Sequence, residues 1–396
     1  MNGSRAIRNA KTMAVDLLGG AYPRFVYGGG VRGVPVFASH GVTPALFEAQ
    51  LAFVRDNGYR TLSADEFYEI ACGRRAPEQR AVMLTYDDGL GSLWSVGLPL
   101  VKRYGVTIVV FLIPGRIRSG GVGPTLEDLA AGRARIEDVL QRDAGEQPFL
   151  TWDEITQMHE SGLVDFQSHT LTHQLMFTSP RIEGYFNPAL ARRLSPFQLP
   201  EWMANGLSRP AWGRPLYTAA PRMSAGRHYL EDAGLRRACE GYVAERGGAA
   251  FFERPAWRRE LATSSRDFRR RHGDLGRFET AEERQAALSS ELREAKRFIE
   301  EQLPGKTVRH LAYPWGADSA LAIRLSAQAG YVTNFPAKVA GSYMGITRGQ
   351  PLIAGRFGMD FLFRLPGRGR QPLWRTLAKK LSRNVANLPE ASPELK

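Results

Sequence analysis

Apolar residues in this chain gather in short unbroken runs, and between the runs they recur with helical spacing. Val34 to Ala38, Ala81 to Tyr86 and Val106 to Ile113 (VTIVVFLI) are apolar or β-branched almost throughout, the mark of strands covered on both faces. After the first run, Thr43-Pro44 opens a helix with a cap and an N1 proline, carrying Phe47, Leu51 and Val54 on one face. Tyr59 to Leu62 leads to a second helix from Ala64, and Val96 to Tyr104 continues as a helix after the strand over 81–86. Gly120 to Gln147 is polar and helical, Thr151-Trp152-Asp153-Glu154 reads as a helix start, and Leu163 to Gln167 as a short strand.

The same rhythm returns late in the chain. Ala281 to Gln302 predicts a charged amphipathic helix with Leu288, Leu292, Ala295 and Ile299 on one stripe. Strands follow over Val308 to Tyr313, Tyr331 to Phe335 and Ile353 to Phe357, and the helix Ser319 to Ala329 closes at Gly330. Strand alternating with helix implies parallel βα units, so the fold class expected is α/β, a distorted parallel barrel of about seven strands with a long insertion. Residues 1–33 are read as an N-terminal extension that packs loosely or links to the first barrel strand, 34–176 and 289–363 as the two parts of the barrel, and 364–396 as a basic amphipathic tail. The insertion, 177–288, shows no strand and helix rhythm and is expected at the rim of the barrel, where loops after strands line a groove. Trp202, Trp212, Tyr217 and Trp257 are its candidates for stacking on sugar faces, with Arg214 or Arg222 for anionic groups.

Composition narrows the picture only slightly. The 396 residues are 43% hydrophobic and 23% charged, as in ordinary globular proteins, and the two cysteines, Cys72 and Cys239, give no disulfide framework. The formal net charge of +13 is spread along the chain without a nucleic-acid-binding motif, so no nucleic-acid partner is expected. No run of about 20 apolar residues is present, and Asp16 interrupts MAVDLLGGAY, so a cytoplasmic location is expected. One basic feature is local. Over 372–388, Leu373, Leu377, Leu381 and Val385 recur at four-residue spacing beside Trp374, Arg375, Lys379, Lys380 and Arg383. That segment is a candidate for peripheral contact with an anionic surface of the inner membrane.

Two stretches carry candidate chemistry. AVMLTYDDGLG (81–91) runs a buried strand into Asp87 and Asp88, and strand ends of this kind host active sites in α/β folds. A distorted strand end can turn two neighbouring carboxylates toward one pocket. SHTLTH (168–173) sets His169 and His173 four apart, and on one helical turn that spacing brings both rings to one side. Two imidazoles and one of the aspartates make a two-histidine, one-carboxylate site for a divalent cation, with open positions.

TYDDG, then SHTLTH, then AYPWG (312–316) resemble, in that order, the boxes of the polysaccharide deacetylase family, carbohydrate esterase family 4 with its NodB homology domain. The opening stretch 34–67 is similar to the family's as well, so the resemblance covers roughly 34–175 and 290–363. It implies hydrolysis of N-acetyl groups on the amino sugars of a polysaccharide or its lipid-linked precursor. Carried over by motif, Asp87 becomes the general base, and Asp88, His169 and His173 hold the metal, with zinc the expected cation. The amide of Trp315 becomes the oxyanion donor, and Tyr313, Pro314 and Arg356 line the substrate. A cation so held acidifies water and polarises a carbonyl.

Two departures stand against the pattern. The family's arginine before the third box is replaced by Ala312, leaving Arg309 or Arg356 to supply that charge. No histidine follows Trp315, so the general acid has to be His40, His310 or protonated Asp87. These gaps keep open an alternative, a catalytically impaired protein of the same fold that binds carbohydrate or a biosynthetic partner.

Overall fold

The computed structural model describes residues 11–76, 78–144, 148–192, 211–273 and 275–386, the last of these with side chains through Lys379. The chain forms two compact units, one of 1–171, 292–316 and 326–396, the other of 172–291 and 317–325.

The first unit is a parallel (β/α) barrel. Its strands are β1 (Val36–Ser39), β2 (Arg60–Thr61), β3 (Ala81–Asp88), β4 (Ile108–Leu112) and β5 (Val164–Ser168). After the second unit's β6 (Leu175–Tyr185), β7 (Pro215–Pro221), β8 (Tyr229–Leu230) and β9 (Arg277–Phe278), it resumes with β10 (His310–Ala312) and β11 (Thr333–Phe335). The series ends with β12 (Ile346–Thr347), β13 (Leu352–Ala354) and β14 (Phe357–Gly358). The order across the sheet is β12-β13-β11-β10-β5-β4-β3-β1-β14, with β2 on β3, and only β12 runs antiparallel to its neighbour. Val36, Met83, Phe111, Ala312, Phe335 and Ala354 meet in one buried cluster, although β1 and β13 lie far apart along that order. A flat sheet would keep them apart, so the sheet curls round a filled interior. The helix Ala64–Ala71 adds Phe67 and Tyr68 to the cluster, and its first turn meets the start of two strands through Ala64 N–H to Asp165 and Asp65 to His310.

Most predicted elements form close to the expected bounds. The helix Pro44–Asp56 buries Phe47, Leu51 and Val54, though Thr43 makes no side-chain cap bond, so the N1 proline alone marks its start. Ala281–Gln302 matches its predicted span, and all four stripe residues are fully buried. The expected helix over 120–147 is two short ones, Leu126–Ala130 and Ile136–Leu140. The expected strand over 353–357 is split in two around Gly355-Arg356. The described part of the extension before β1, residues 11–33, is packed rather than loose: Phe25 and Val26 are fully buried, and Asp16 pairs with Lys338 and Tyr343.

The second unit has the regular elements that its sequence hides. β6 and β7 form an antiparallel hairpin with bulges, β8 pairs β9, and the helices Ala233–Ala244 and Trp257–His272 pack on Tyr185 and Phe251. β6 (LMFTSPRIEGY) buries only three of its eleven residues and contains a proline, so no clean alternation announces it. The aromatic residues proposed for sugar stacking serve this unit's own packing. Tyr217 and Trp257 are buried in its clusters and Trp212 stacks on Phe186 with centroids 5.1 Å apart, while Trp202 lies outside the described residues. The two arginines are likewise engaged internally, Arg214 with Glu231 and Arg222 with Glu279. Both cysteines are free thiols, and no described helix is long and apolar enough to cross a membrane.

Candidate metal-dependent active site

Strand register gathers the candidate residues on one edge. Asp88 is level with Leu112, Leu112 with Ser168, and Ser168 with Leu311, while Ser39 is level with Tyr86. The residues at or just past these positions are therefore His40, Asp87, Asp88, His169 and the turn after β10. They share the C-terminal ends of neighbouring parallel strands, the usual location of barrel active sites.

Backbone strain concentrates here. Among the described residues, five other than glycine have positive φ, and four of them are Asp88 (74°), Thr170 (65°), His173 (56°) and Trp315 (60°). Each left-handed residue of this kind costs on the order of 1–3 kcal/mol and persists only where its surroundings enforce it. Asp88, followed by Gly89 at φ 75°, turns the strand end so that both adjacent carboxylates enter one site. The histidines differ from the expectation. Residues 169–174 are not helical, and the rings converge through a turn with left-handed residues at Thr170 and His173. Local spacing could not reveal this, because the helix and the turn both bring residues four apart together.

Asp88, His169 and His173 are all buried, and each offers a ligand atom within 4.8 Å of the others'. His169 Nδ1 is 2.8 Å from Ala312 O, a contact that requires the proton on Nδ1 and leaves Nε2 as a bare acceptor. That Nε2 is 3.5 Å from Asp88 Oδ1. Burial lowers the His169 pKa, keeping the ring neutral, while burial and the charge of Asp87 raise the Asp88 carboxyl. Two electron-rich atoms facing each other at this range suit a cation between them, and a cation would remove the penalty on Asp88. The donor set therefore fits a divalent metal.

Asp87 is held otherwise. Arg356 Nη1 donates to its Oδ1 at 2.7 Å and Nη2 to its Oδ2 at 2.9 Å, with a further bond from Nη1 to Thr85 Oγ1 at 3.1 Å. Burial would raise this carboxyl, but the guanidinium charge, His169 and the hydrogen bonds outweigh it and hold Asp87 well below the ordinary carboxylate range. The broken strand explains how Arg356 arrives: Gly355 N–H bonds Gly345 O and Arg356 N–H bonds Ala337 O, which sets the side chain inward between β13 and β14. Arg356, expected along the substrate or as the source of the charge missing at Ala312, is thus engaged with Asp87. Arg309 pairs with Asp65 instead.

The remaining candidates separate. His40 follows β1, its side chain is 64% exposed, and Nε2 is 4.0 Å from Asp88 Oδ2. Its turn is fixed by residues that the sequence did not single out: Val42 N–H bonds Ser92 Oγ at 3.0 Å, and Ser92 N–H bonds Asp143 Oδ1 at 2.7 Å. His310 starts β10 rather than ending it, is fully buried, and has Nε2 3.2 Å from Asp65, so it belongs to the opposite end of the barrel from Asp87. Pro314 and Tyr313 are buried beneath the turn, with the Tyr313 hydroxyl accepting from Asn334 at 2.7 Å, while Trp315 is 45% exposed.

Residues 74–189 match the family model described as polysaccharide deacetylase, a span that contains both aspartates and both histidines. The Bacillus subtilis (strain 168) protein YxkH, which carries the name polysaccharide deacetylase, is 25% identical over 127 residues, 32% of this chain and 36% of that protein. The poly-beta-1,6-N-acetyl-D-glucosamine N-deacetylase of Escherichia coli K12 is 29% identical over 128 residues, 32% of this chain and 17% of that protein. The chain thus matches about a third or less of the length of these relatives. Among solved structures, a de-N-acetylase from Aggregatibacter actinomycetemcomitans superposes with a TM-score of 0.47 at 17% identity, covering 82% of this chain and 93% of that one.

Proposed function

We propose, starting from the membership of this chain in the polysaccharide deacetylase family, that it is a metal-dependent hydrolase that removes N-acetyl groups from the amino sugars of a polysaccharide or its lipid-linked precursor. The observation that carries the reading is the division of labour between adjacent carboxylates: Asp87 is clasped by Arg356, while Asp88 joins His169 and His173. Zinc or a similar divalent ion bound by Asp88, His169 and His173 would supply Lewis acidity toward water and the amide carbonyl.

The chain's own residues do the rest. Asp87, kept ionised by Arg356, accepts a proton from the attacking water. The Trp315 amide donates to the oxygen that becomes negative as the carbonyl carbon turns tetrahedral. His40, exposed beside Asp88, delivers a proton to the sugar nitrogen as the C–N bond breaks, giving free amine and acetate. The Arg356 fork also supplies the charge that Ala312 cannot, which favours an active enzyme over a protein that only binds carbohydrate.

The test is acetate release from N-acetylglucosamine oligomers by metal-stripped protein, with and without added zinc. Release that depends on the metal supports the reading. No release from any N-acetylated oligomer with zinc bound at full stoichiometry would leave a binding protein as the better description.

A further inference from the structure

The barrel unit carries a corner in which exposed apolar side chains stand among cations. Residues 361–386 contain seven arginines and lysines and no acidic residue. They include the helix Leu373–Ala386, on which Trp374 is 69% exposed and Arg375 and Lys379 are exposed. The stretch before β1 adds to this corner. Over 11–18 the backbone is helical, with Leu18 91% and Val15 65% exposed, and the short helix Arg24–Tyr27 follows with Tyr27 exposed.

Hydrogen bonds tie these pieces together. Tyr27 OH donates to Leu17 O at 2.7 Å. Arg364 donates from Nε and Nη2 to Val26 O, and Arg370, three residues before the Leu373–Ala386 helix, donates to Phe25 O and Gly28 O. Two arginines thus cover the end of the Arg24–Tyr27 helix, where exposed carbonyls favour cations. The tie makes one surface from segments more than 300 residues apart. Acidic groups close to it are already engaged: Asp16 is buried against Lys338, and Asp56, adjacent to the Asn57 that binds Arg368, pairs with Arg55.

We propose that this corner is a docking surface for an anionic lipid bilayer, with Trp374 and Leu18 entering the headgroup region and Arg24, Arg368 and Arg375 meeting lipid phosphates. Tryptophan and leucine flanked by cations match an interface that is apolar beneath and negative above. A soluble polyanion would use the cations but gains nothing from Leu18 and Val15, and a second copy of this chain would bring the same positive charge to the contact. Docking here would hold the barrel against the membrane without inserting a helix.

The experiment is co-sedimentation of the full chain with vesicles of phosphatidylcholine alone or mixed with phosphatidylglycerol, at low and high salt. Binding to the mixed vesicles only, weakening as salt rises, is expected. Reversing Arg368 and Arg375 together to glutamate should lower the partition coefficient about tenfold or more, and Leu18→Ser and Trp374→Ala each roughly fivefold. All these side chains are exposed, so folding should be retained, and circular dichroism checks it. Failure to bind the mixed vesicles at low salt would overturn the proposal. So would unchanged binding of Leu18→Ser and Trp374→Ala, or complete displacement by soluble polyphosphate of a charge-reversal-sensitive but apolar-insensitive complex.

Discussion

Arg356 meets Asp87 with a two-pronged hydrogen-bonded contact, 2.7 and 2.9 Å long, between a residue on a broken strand and one 269 positions earlier at the end of β3. Both side chains are buried. Removing one member of such a pair leaves an uncompensated charge, which costs about 3–5 kcal/mol. Arg356→Ala is therefore expected to lower stability on that scale and to reduce deacetylation by roughly 100-fold or more, the size of general base loss. Arg356→Lys should recover part of the stability but little of the activity, because a single ammonium cannot hold both oxygens. Denaturant titration and acetate release check the two effects. Wild-type turnover in Arg356→Ala would show that the fork does not serve the reaction.

The neighbouring carboxylates should separate in a metal assay. His173→Ala and Asp88→Ala each remove one of three protein ligands and are expected to abolish stoichiometric zinc after dialysis. Asp87→Asn removes no ligand, and it should keep the metal while turnover falls roughly 100-fold or more. Atomic emission on the dialysed proteins reads the first effect and acetate release the second. Equal metal loss in Asp87→Asn and Asp88→Asn would mean that the two roles are shared or exchanged.

Gly316 permits the turn that carries Trp315. It has φ 65°, directly after Trp315 at φ 60°, and a Cβ there would lie 2.6 Å from Ala337 Cβ and 3.0 Å from Ala337 N. Gly316→Ala combines a left-handed penalty with overpacking against backbone, so a loss of about 2 kcal/mol or more is expected. Because relief requires the turn to shift, activity should fall further than the stability loss explains. Urea unfolding and acetate release on the same preparation test this, and an unaltered urea midpoint would refute the packing argument.

Much of the barrel was legible because parallel strands buried on both faces leave unbroken apolar runs. VTIVVFLI and AVMLTYDD declare β4 and β3, and the register of those strands aligns the carboxylates with the histidine box. What the sequence hid depends on backbone conformations and distant pairings. The histidine turn needs left-handed φ at Thr170 and His173, which neither residue type advertises. Arg356 is legible as one candidate for the charge that Ala312 lacks, but its sequence neighbourhood does not separate that role from substrate contact, because its partner lies on β3. The Asp143 and Ser92 hold on the His40 turn is likewise a contact between loops. In the second unit the hairpin is hidden because β6 buries few of its side chains, and Tyr217 and Trp257, candidates for sugar stacking, lie in that unit's own clusters.

The buried pair inside that second unit gives a pH prediction. Arg222 Nη1 and Nη2 donate to Glu279 Oε1 and Oε2 at 2.8 and 2.7 Å, and His228 N–H adds a bond to Oε1 at 2.8 Å. Burial alone would raise the glutamate, but these bonds and the guanidinium charge outweigh it, so its pKa in the folded protein lies below the usual value. A carboxyl depressed by folding stabilises the native state fully above its unfolded pKa, about 4.3 for glutamate, and less as pH falls through the folded value. Glu279→Gln keeps the shape and loses the charge, leaving Arg222 buried without its counterion, at a cost of about 3–5 kcal/mol near neutral pH. The deficit relative to wild type should then shrink as pH drops below about 4, because the wild-type carboxyl is protonated in turn. Urea unfolding of both proteins across that range measures the difference. A deficit that stays constant from neutral to acid pH would show that the Glu279 charge does not hold this unit together.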